Sequence, residues 1–440
     1  MPLTTSIDDL FTAASQQAGI AADVENPQLI YTGRYIAILK DDATDDAIAQ
    51  FMQTYNLPVT SAASFDGQAV AFEDLGAAEV LVLPNVGAAV ISAEAYAAMS
   101  SASAPAVAEA SSDGTMDGTT SGDTTSSGPV LDPNGPIESL EPEFFLFASD
   151  DSAGGAGTAT AAATTYGLDI TGVTTSAWSG NGIKIAVLDT GFDLNHPDFA
   201  GRSIVTASFV GQPVQDGHSH GTHTAGTACG PQSPSAGPPR YGVAYNSSMY
   251  IGKVLADSGF ATSGSVLAGI NWALANSCEI VSMSLSAPVG VQASYTKAGT
   301  KALAVGTLLI AAAGNDSNRP GTIANTGAPA NSPTIMAVAA VDQNLDMYVR
   351  SNGGKIEITG PGVNVYSSVP APALHGTKTG TSMATPHVAG IAALWAETDP
   401  SLRGQSLWSV LTAGAQMLSA QANTDVGAGL VQAPTTPVTP

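Results

Sequence analysis

The 440-residue chain is short of positive charge, of charge of any kind, of cysteine and of long apolar runs. Lys and Arg number 13 against 37 Asp and Glu, a formal charge of −24, and only 11% of residues are charged. With so few bases and no basic cluster, the electrostatic footprint that holds nucleic acid or an anionic membrane surface is missing. Two cysteines, Cys229 and Cys278, are too few for a disulfide-dense scaffold. Their spacing leaves pairing open, and two buried thiols is the simpler reading. The longest apolar stretch, residues 302–314, falls short of the ~18–20 residues that span a bilayer, so no transmembrane helix is expected. The first 33 residues carry no Lys or Arg and no apolar run longer than residues 18–22, so no secretory leader is legible.

What is present is apolar: 44% hydrophobic residues exclude an acidic disordered tail, and the length suits two to three domains of ~150 residues each. The charge is unevenly placed. Residues 1–150 hold 22 acids and two bases, Arg34 and Lys40, a balance of −20, while residues 151–440 hold 15 acids and 11 bases, a balance of −4. That asymmetry divides the chain into two parts to be read separately.

In the first part, residues 34–40 read as a strand. Ala47, Ile48, Phe51, Met52 and Tyr55 then fall at helical spacing over 43–56. Residues 67–72 and 79–92 read as strands, the second broken by a Pro-Asn-Val-Gly turn, with a helix through Tyr96 and Met99. Residues 100–129 are almost entirely Ser, Ala, Gly, Thr and Asp, a linker composition. Structure resumes with a strand at 136–149, and residues 150–165 form a second flexible stretch. From 166 onward apolar strands at 183–188, 248–255, 280–286, 307–314 and 334–341 alternate with helices near 262–277, 292–305 and 381–397. This alternation predicts an α/β fold, a mostly parallel sheet with helices on both faces. No internal repeat is visible.

Three segments place chemistry just after buried strands or at a helix start: Asp189 in AVLDTG, His220 in SHGTHTAG and Ser382 in GTSMATPHVAG. A serine hydroxyl is a poor nucleophile unless an imidazole takes its proton and a carboxylate fixes that imidazole's tautomer. A fourth segment, AAAGN, ends at Asn315, whose amide is suited to donate to a developing oxyanion. Each residue has a plainer reading: Asp189 as a turn former, Ser382 as a helix N-cap. His220 and His223 suggest a metal pair, but a HExxH zinc site needs a Glu between them, where Gly221 and Thr222 stand. His223 then reads as a structural histidine. Residues 217–221 also satisfy the GxSxG pattern of an α/β-hydrolase elbow, which would make Ser219 the nucleophile of an esterase. That elbow requires a buried strand directly before it, whereas GQPVQD is polar.

In the order Asp, His, Asn, Ser, these four segments resemble the signature blocks of the subtilisin-like serine proteases, peptidase family S8. The resemblance covers roughly residues 165–433, including YGLDITGV at 166–173 and a closing GAGLVQA at 427–433. It implies that Asp189 orients His220, that His220 acts as base and then acid, that Ser382 attacks, and that Asn315 and the Ser382 N–H hold the oxyanion. It also implies a serine endopeptidase acting through an acyl-enzyme; the alternatives are the Ser219 esterase and a catalytically silent peptide-binding pseudoprotease.

Further implications concern substrate and metal. The substrate peptide would add as a strand between Ser258-Gly259-Phe260 and Ser284-Leu285-Ser286. The primary pocket would be lined by Ala312, Ala313, Gly314 and Gly327 and would favour an apolar side chain. Where relatives often carry glycine, Ser286 and Ala287 stand here, a departure that narrows the pocket. Asp198, in an HPD segment, is the implied calcium ligand, yet the loop 230–242 that would complete the site has no Asp, Glu or Asn and four prolines. No cofactor is required on this reading, and structural calcium is doubtful.

The N-terminal part resembles the inhibitory prodomains of the same family, small α+β ferredoxin-like folds. The expected division is an N-terminal extension at 1–28, a prodomain at 29–149 with an inserted linker at 100–129, a processing segment at 150–165, a catalytic domain at 166–433 and a tail at 434–440. The prodomain would be the intramolecular inhibitor. The other expected partners are peptide or protein substrates, with no nucleic acid and no membrane, and the protein is expected to be monomeric. The expected location is extracellular, with cytoplasmic storage of an inactive precursor as the alternative.

Overall fold

The computed structural model describes residues 2–18, 30–65, 72–75, 77–103, 129, 131–148, 162–237 and 239–435. Of the expected linker at 100–129, residues 104–128 lie outside them, whereas residues 100–103 are not linker but the end of a helix, Ala93–Ser103. Most of the processing segment also lies outside, as do residues 67–71 of an expected strand, and Phe72 opens a 3₁₀ turn, Phe72–Leu75.

The N-terminal region runs α1 (Ile7–Ala18), β1 (Tyr31–Leu39), α2 (Asp45–Gln53), β2 (Val59–Ser61), β3 (Val80–Leu83), β4 (Ala88–Ile91), α3 (Ala93–Ser103) and β5 (Ile137–Ala148). Helix α2 starts where Thr44 accepts the Ala47 N–H, and it turns Ile48 and Met52 inward. The strands lie in the order β5-β1-β4-β3-β2. One sheet face (Ala37, Val82, Ile91, Ile137) packs with Ile48 and Met52 of α2 and Ala95 and Met99 of α3. The opposite face (Ile36, Leu81, Val90, Phe144, Leu146) is buried against the rest of the molecule.

The larger region comprises α4 (Tyr166–Ile170), β6 (Lys184–Asp189), β7 (Ile204–Ser208), α5 (His220–Cys229), β8 (Ser248–Lys253), β9 (Phe260–Thr262), α6 (Ser263–Ala275), β10 (Ile280–Met283), β11 (Leu285–Ser286), α7 (Ala293–Ala304), β12 (Leu308–Ala312), β13 (Met336–Val341), β14 (Ile358–Pro361), β15 (Val365–Ser368), β16 (His375–Lys378), α8 (Thr381–Thr398), α9 (Gly404–Ala413) and α10 (Asn423–Val426). Seven strands form one parallel sheet in the order β14-β13-β12-β10-β6-β8-β7. Side chains alternate along each strand, so Ala186, Leu188, Val281 and Met283 face α6 and α7 while Ile185, Val187, Ile280 and Ile310 face α5 and α8. Both faces are covered, which is why these strands read as unbroken apolar runs.

Two details differ from expectation. The strand at 280–286 is split at Ser284 into β10 and β11, which join different sheets. The expected flexible segment ends early: Thr165 N–H donates to Arg240 O (3.0 Å) and Arg240 N–H to Ala163 O (2.9 Å), so residues 163–165 already belong to the folded body.

Candidate active site

Open parallel sheets gather functional groups at the carboxyl ends of adjacent strands. Here β6, β10 and β12 are neighbours, and their ends deliver Asp189, Ser284 and the loop to Asn315. Asp189 is buried and accepts the Thr190 N–H (2.7 Å) and the Thr224 hydroxyl (3.0 Å). Its remaining partner is His220 Nδ1, 2.7 Å from Asp189 Oδ1. His220 opens α5, and the approach depends on Gly221, where a Cβ would lie 2.2 Å from the Gly191 carbonyl oxygen. No other residue lets the helix start this close to the loop after β6.

Ser382 is fully buried in the first turn of α8. Its hydroxyl donates to the Ser284 carbonyl at 3.0 Å, and the Ser284 hydroxyl donates to the Ser382 carbonyl at 2.8 Å. Asn315 Oδ1 accepts the Thr381 N–H (3.0 Å) and hydroxyl (2.9 Å), which fixes the orientation of its amide beside the nucleophile's turn. The structure thus brings Asp189 onto His220 and ties Asn315 and Ser284 to residues 381–382.

One residue escaped the sequence reading. Asp216 is buried; its Oδ1 accepts from the Thr190 hydroxyl and from the His218 and Ser219 N–H groups, and its Oδ2 accepts the Thr222 N–H and hydroxyl, all at 2.6–3.0 Å. It both caps α5 and ties that helix to the residue after Asp189. The available signal was an Asp four residues before His220, in cap range of a helix start. Lys253, fully buried, also donates to the Thr190 carbonyl and pairs with Asp257 at 2.6 Å.

The competing motifs fare differently. Ser219 sits at φ +83 before α5, and the described residues 209–218 form no strand, so the elbow geometry of an esterase is absent. His223 is buried with Nε2 2.9 Å from the Val365 carbonyl, a structural contact with the β15–β16 hairpin. Both cysteines are free and buried, and burial pushes the Cys278 thiol up to about 12.

Residues 180–429, more than half of the chain, match the subtilase family model. The chain belongs to the subtilase family. The chain is 40% identical over 228 residues to subtilisin of Bacillus pumilus, covering 51% of this chain and 80% of that relative. It is equally identical over 228 residues to subtilisin E of Bacillus subtilis strain 168, covering 51% of this chain and 58% of that one. Alkaline elastase YaB of Bacillus sp. strain YaB is 40% identical over 259 residues, 58% of this chain and 65% of that one. The chain therefore spans about three-fifths of the length of some subtilases it matches and four-fifths of another. Its sheet is that of a subtilisin-like serine endopeptidase, α/β with helices on both faces.

In this subtilase the groove beside Ser382 is filled by its own strand. β5 runs antiparallel between β9 and β11, pairing Phe145, Leu146 and Phe147 with Thr262, Ala261 and Phe260, and Phe147 and Ala148 with Ser286 and Leu285. The Ala148 N–H donates to the Gly259 carbonyl at 3.0 Å, and Ser258 meets α1 through Asp8 at 2.5 Å. Two β5 carboxylates cap helices of the larger region: Glu143 accepts the Gly264 N–H (3.1 Å) of α6, and Glu141 accepts the Ala293 and Ser294 N–H groups (3.0 and 3.2 Å) of α7. Glu143 is neutralised by Arg34 at 2.5 Å in a pair only 0–1% exposed. Behind β11, Ala312, Ala313 and Gly314 are buried, and the Gly327 N–H donates to the Ala313 carbonyl at 3.0 Å. A Cβ on Gly314 would lie 3.3 Å from Ser286 Oγ, so the departure at 286 puts a hydroxyl on this wall.

Asp198 does not suit calcium. Its Oδ1 accepts the Ser235 N–H (2.7 Å) and hydroxyl (2.6 Å), and its Oδ2 accepts Tyr241 OH (2.5 Å) and pairs with His375 Nε2 (2.8 Å). Burial works to raise its pKa, but His375, Ser235 and Tyr241 together hold the carboxyl far below the usual range. Calcium needs six to eight oxygen acceptors, and the 230–242 loop offers this carboxylate donors instead. His196, also within reach of Asp198 and His375, accepts the Asp198 N–H at Nδ1 (3.2 Å) and meets the Leu374 carbonyl at Nε2 (2.6 Å), so its nitrogens are committed too.

Proposed function

We propose that the protein is the zymogen of a serine endopeptidase, cut by its own active site and then held silent by its N-terminal region until that region is lost. The observation that carries the reading is β5, seated as an antiparallel strand between β9 and β11 and running toward the turn that bears Ser382. The 2.7 Å contact of Asp189 with His220 supports the triad roles.

In the proposed cycle the Ser382 hydroxyl turns from Ser284 to His220 Nε2, gives up its proton and attacks the peptide carbonyl carbon. The oxyanion that forms takes hydrogen bonds from the Asn315 amide and the Ser382 N–H. Collapse breaks the C–N bond, His220 returns the proton to the departing amine, and water repeats the sequence on the ester to restore Ser382. Asp189 keeps Nδ1 protonated throughout. Self-cleavage would fall between about Phe147 and Thr165, residues 29–149 would act as the intramolecular inhibitor, and the mature enzyme would begin near residue 166. Small residues at 312–314 and 327 support an apolar preference before the scissile bond. No calcium at Asp198 enters this reading, which has the monomeric enzyme acting outside the cell.

The test is processing and labelling. The wild type should mature and its Ser382 should react with a fluorophosphonate, while Ser382→Ala stays full length. Equal processing of both would remove self-cleavage, and folded, matured protein that takes no label would be a silent peptide binder. Asn315→Ala should lower kcat about a hundredfold or more, the magnitude known for one such donor in subtilisin.

A further inference from the structure

Strand β5 sends alternate side chains into two environments. Phe144 and Leu146 join the core beneath α6 and α7, whereas Phe145 and Phe147 enter a separate apolar cluster on the outer side of the groove. Three residues of the catalytic region build that cluster, Val210, Ala256 and Phe260. The Phe147 ring meets Phe260 edge-on with centroids 5.4 Å apart, and Phe11 of α1 stacks on Phe260 at 4.0 Å. Asp8 secures α1 there, accepting from Ser258 Oγ (2.5 Å) and Gln212 Nε2 (3.4 Å).

Phe260 is 6% exposed, and every other aromatic ring in its apolar cluster comes from the N-terminal region. Once that region leaves, its apolar partners in the cluster are Ala256 and Val210, and the aromatic face that Phe11 and Phe147 covered is uncovered beside the edge strand β9. A bare aromatic next to main-chain groups that pair with peptide is a binding surface in its own right. The register says which substrate residue would reach it. Phe147 pairs with Ser286 and Phe260, and Ala148 with Leu285; a substrate that continued this register would set its next residue, two beyond the place of Phe147, against Ser284, whose carbonyl receives the Ser382 hydroxyl.

We infer that Val210, Ala256 and Phe260 form an aromatic-accepting subsite for the third residue upstream of the scissile bond, which Phe147 and α1 fill in the full-length chain. The inference rests on the endopeptidase reading above. It names a substrate class: extended peptides with Phe, Tyr or Trp at that position, held edge-to-face against Phe260.

The experiment uses the matured wild-type enzyme and peptides that differ only at the third upstream residue. Phe there should give kcat/KM about tenfold above Ala or Asp, the discrimination one apolar side chain commonly provides. In Phe260→Ala the ratio of Phe to Ala peptides should fall toward one, and Phe260→Leu serves in its place if the alanine variant does not fold. Equal rates for the Phe and Ala peptides in the wild type, or a ratio unchanged by both Phe260 variants, would overturn the subsite. A matured wild type that cuts none of the peptides and takes no fluorophosphonate would instead overturn the endopeptidase reading.

Discussion

At the scale of single residues, Asp189, His220, Asn315 and Ser382 stood out as candidates because each sits in a short segment of unusual composition at a strand or helix end. Asp216 was not, because its importance comes from two directions at once. It caps α5 locally and reaches back to Thr190, a contact that spacing along the chain does not reveal. Asp216→Ala should strand two hydroxyls and three N–H groups in buried surroundings and lower stability by about 3 kcal/mol. Urea unfolding in a Ser382→Ala background, free of self-digestion, would measure it. The cysteines give a second residue-scale expectation. Cys229 and Cys278 are both buried and their thiols are held in the neutral form by desolvation. A thiol-specific chromogenic reagent should therefore titrate neither in the native protein and both in guanidinium; prompt modification of the native form would contradict the burial.

Among elements, the central strands of the parallel sheet were readable as apolar runs because both of their faces are covered. Edge strand β7 was not, since two of its five residues face solvent, nor was β14, whose Gly360 and Pro361 break the pattern. Helix α1 did carry a signal, with Ile7, Leu10, Phe11 and Ala14 at helical spacing, but twelve residues ahead of an unread stretch make a weak case alone. Helix α8 leads to a pH prediction. His387, fully buried within it, has Nδ1 2.8 Å from the Met383 carbonyl, and burial holds its pKa down at about 4. Unfolding restores the ordinary value near ~6.5, so between those limits the unfolded chain takes up a proton that the folded chain refuses. Stability is complete above ~6.5 and falls as pH drops toward ~4, by about 3 kcal/mol in all. In the Ser382→Ala protein, His387→Gln should flatten the dependence of the melting temperature on pH in this window; an unchanged slope would assign it to other groups.

For the whole molecule, composition foretold two electrically different parts but not how they meet. The pairing of β5 with β1, β9 and β11 joins residues from 98 positions apart (Leu39 with Ile137) to 139 (Phe147 with Ser286), and no local pattern records such partners. Nor could spacing show that the N-terminal sheet lays one face on α6 and α7, or that Glu141 and Glu143 point at those helices' N-termini. On the proposed maturation, about twenty of the 24 net negative charges leave with residues 1–150. Isoelectric focusing should accordingly show the mature band far less acidic than the precursor, and a product still near pI 4.2 would place the cut much earlier in the chain. The groove has a consequence for what such an enzyme can attack. Its edges are only three and two residues long, β9 and β11, and both must be engaged by one extended segment. A folded protein rarely offers such a segment ready-made, because its strands are already paired. The first barrier to cleavage is then the target's own local opening, and rates across protein substrates should follow the opening free energy of the loop presented more closely than its composition.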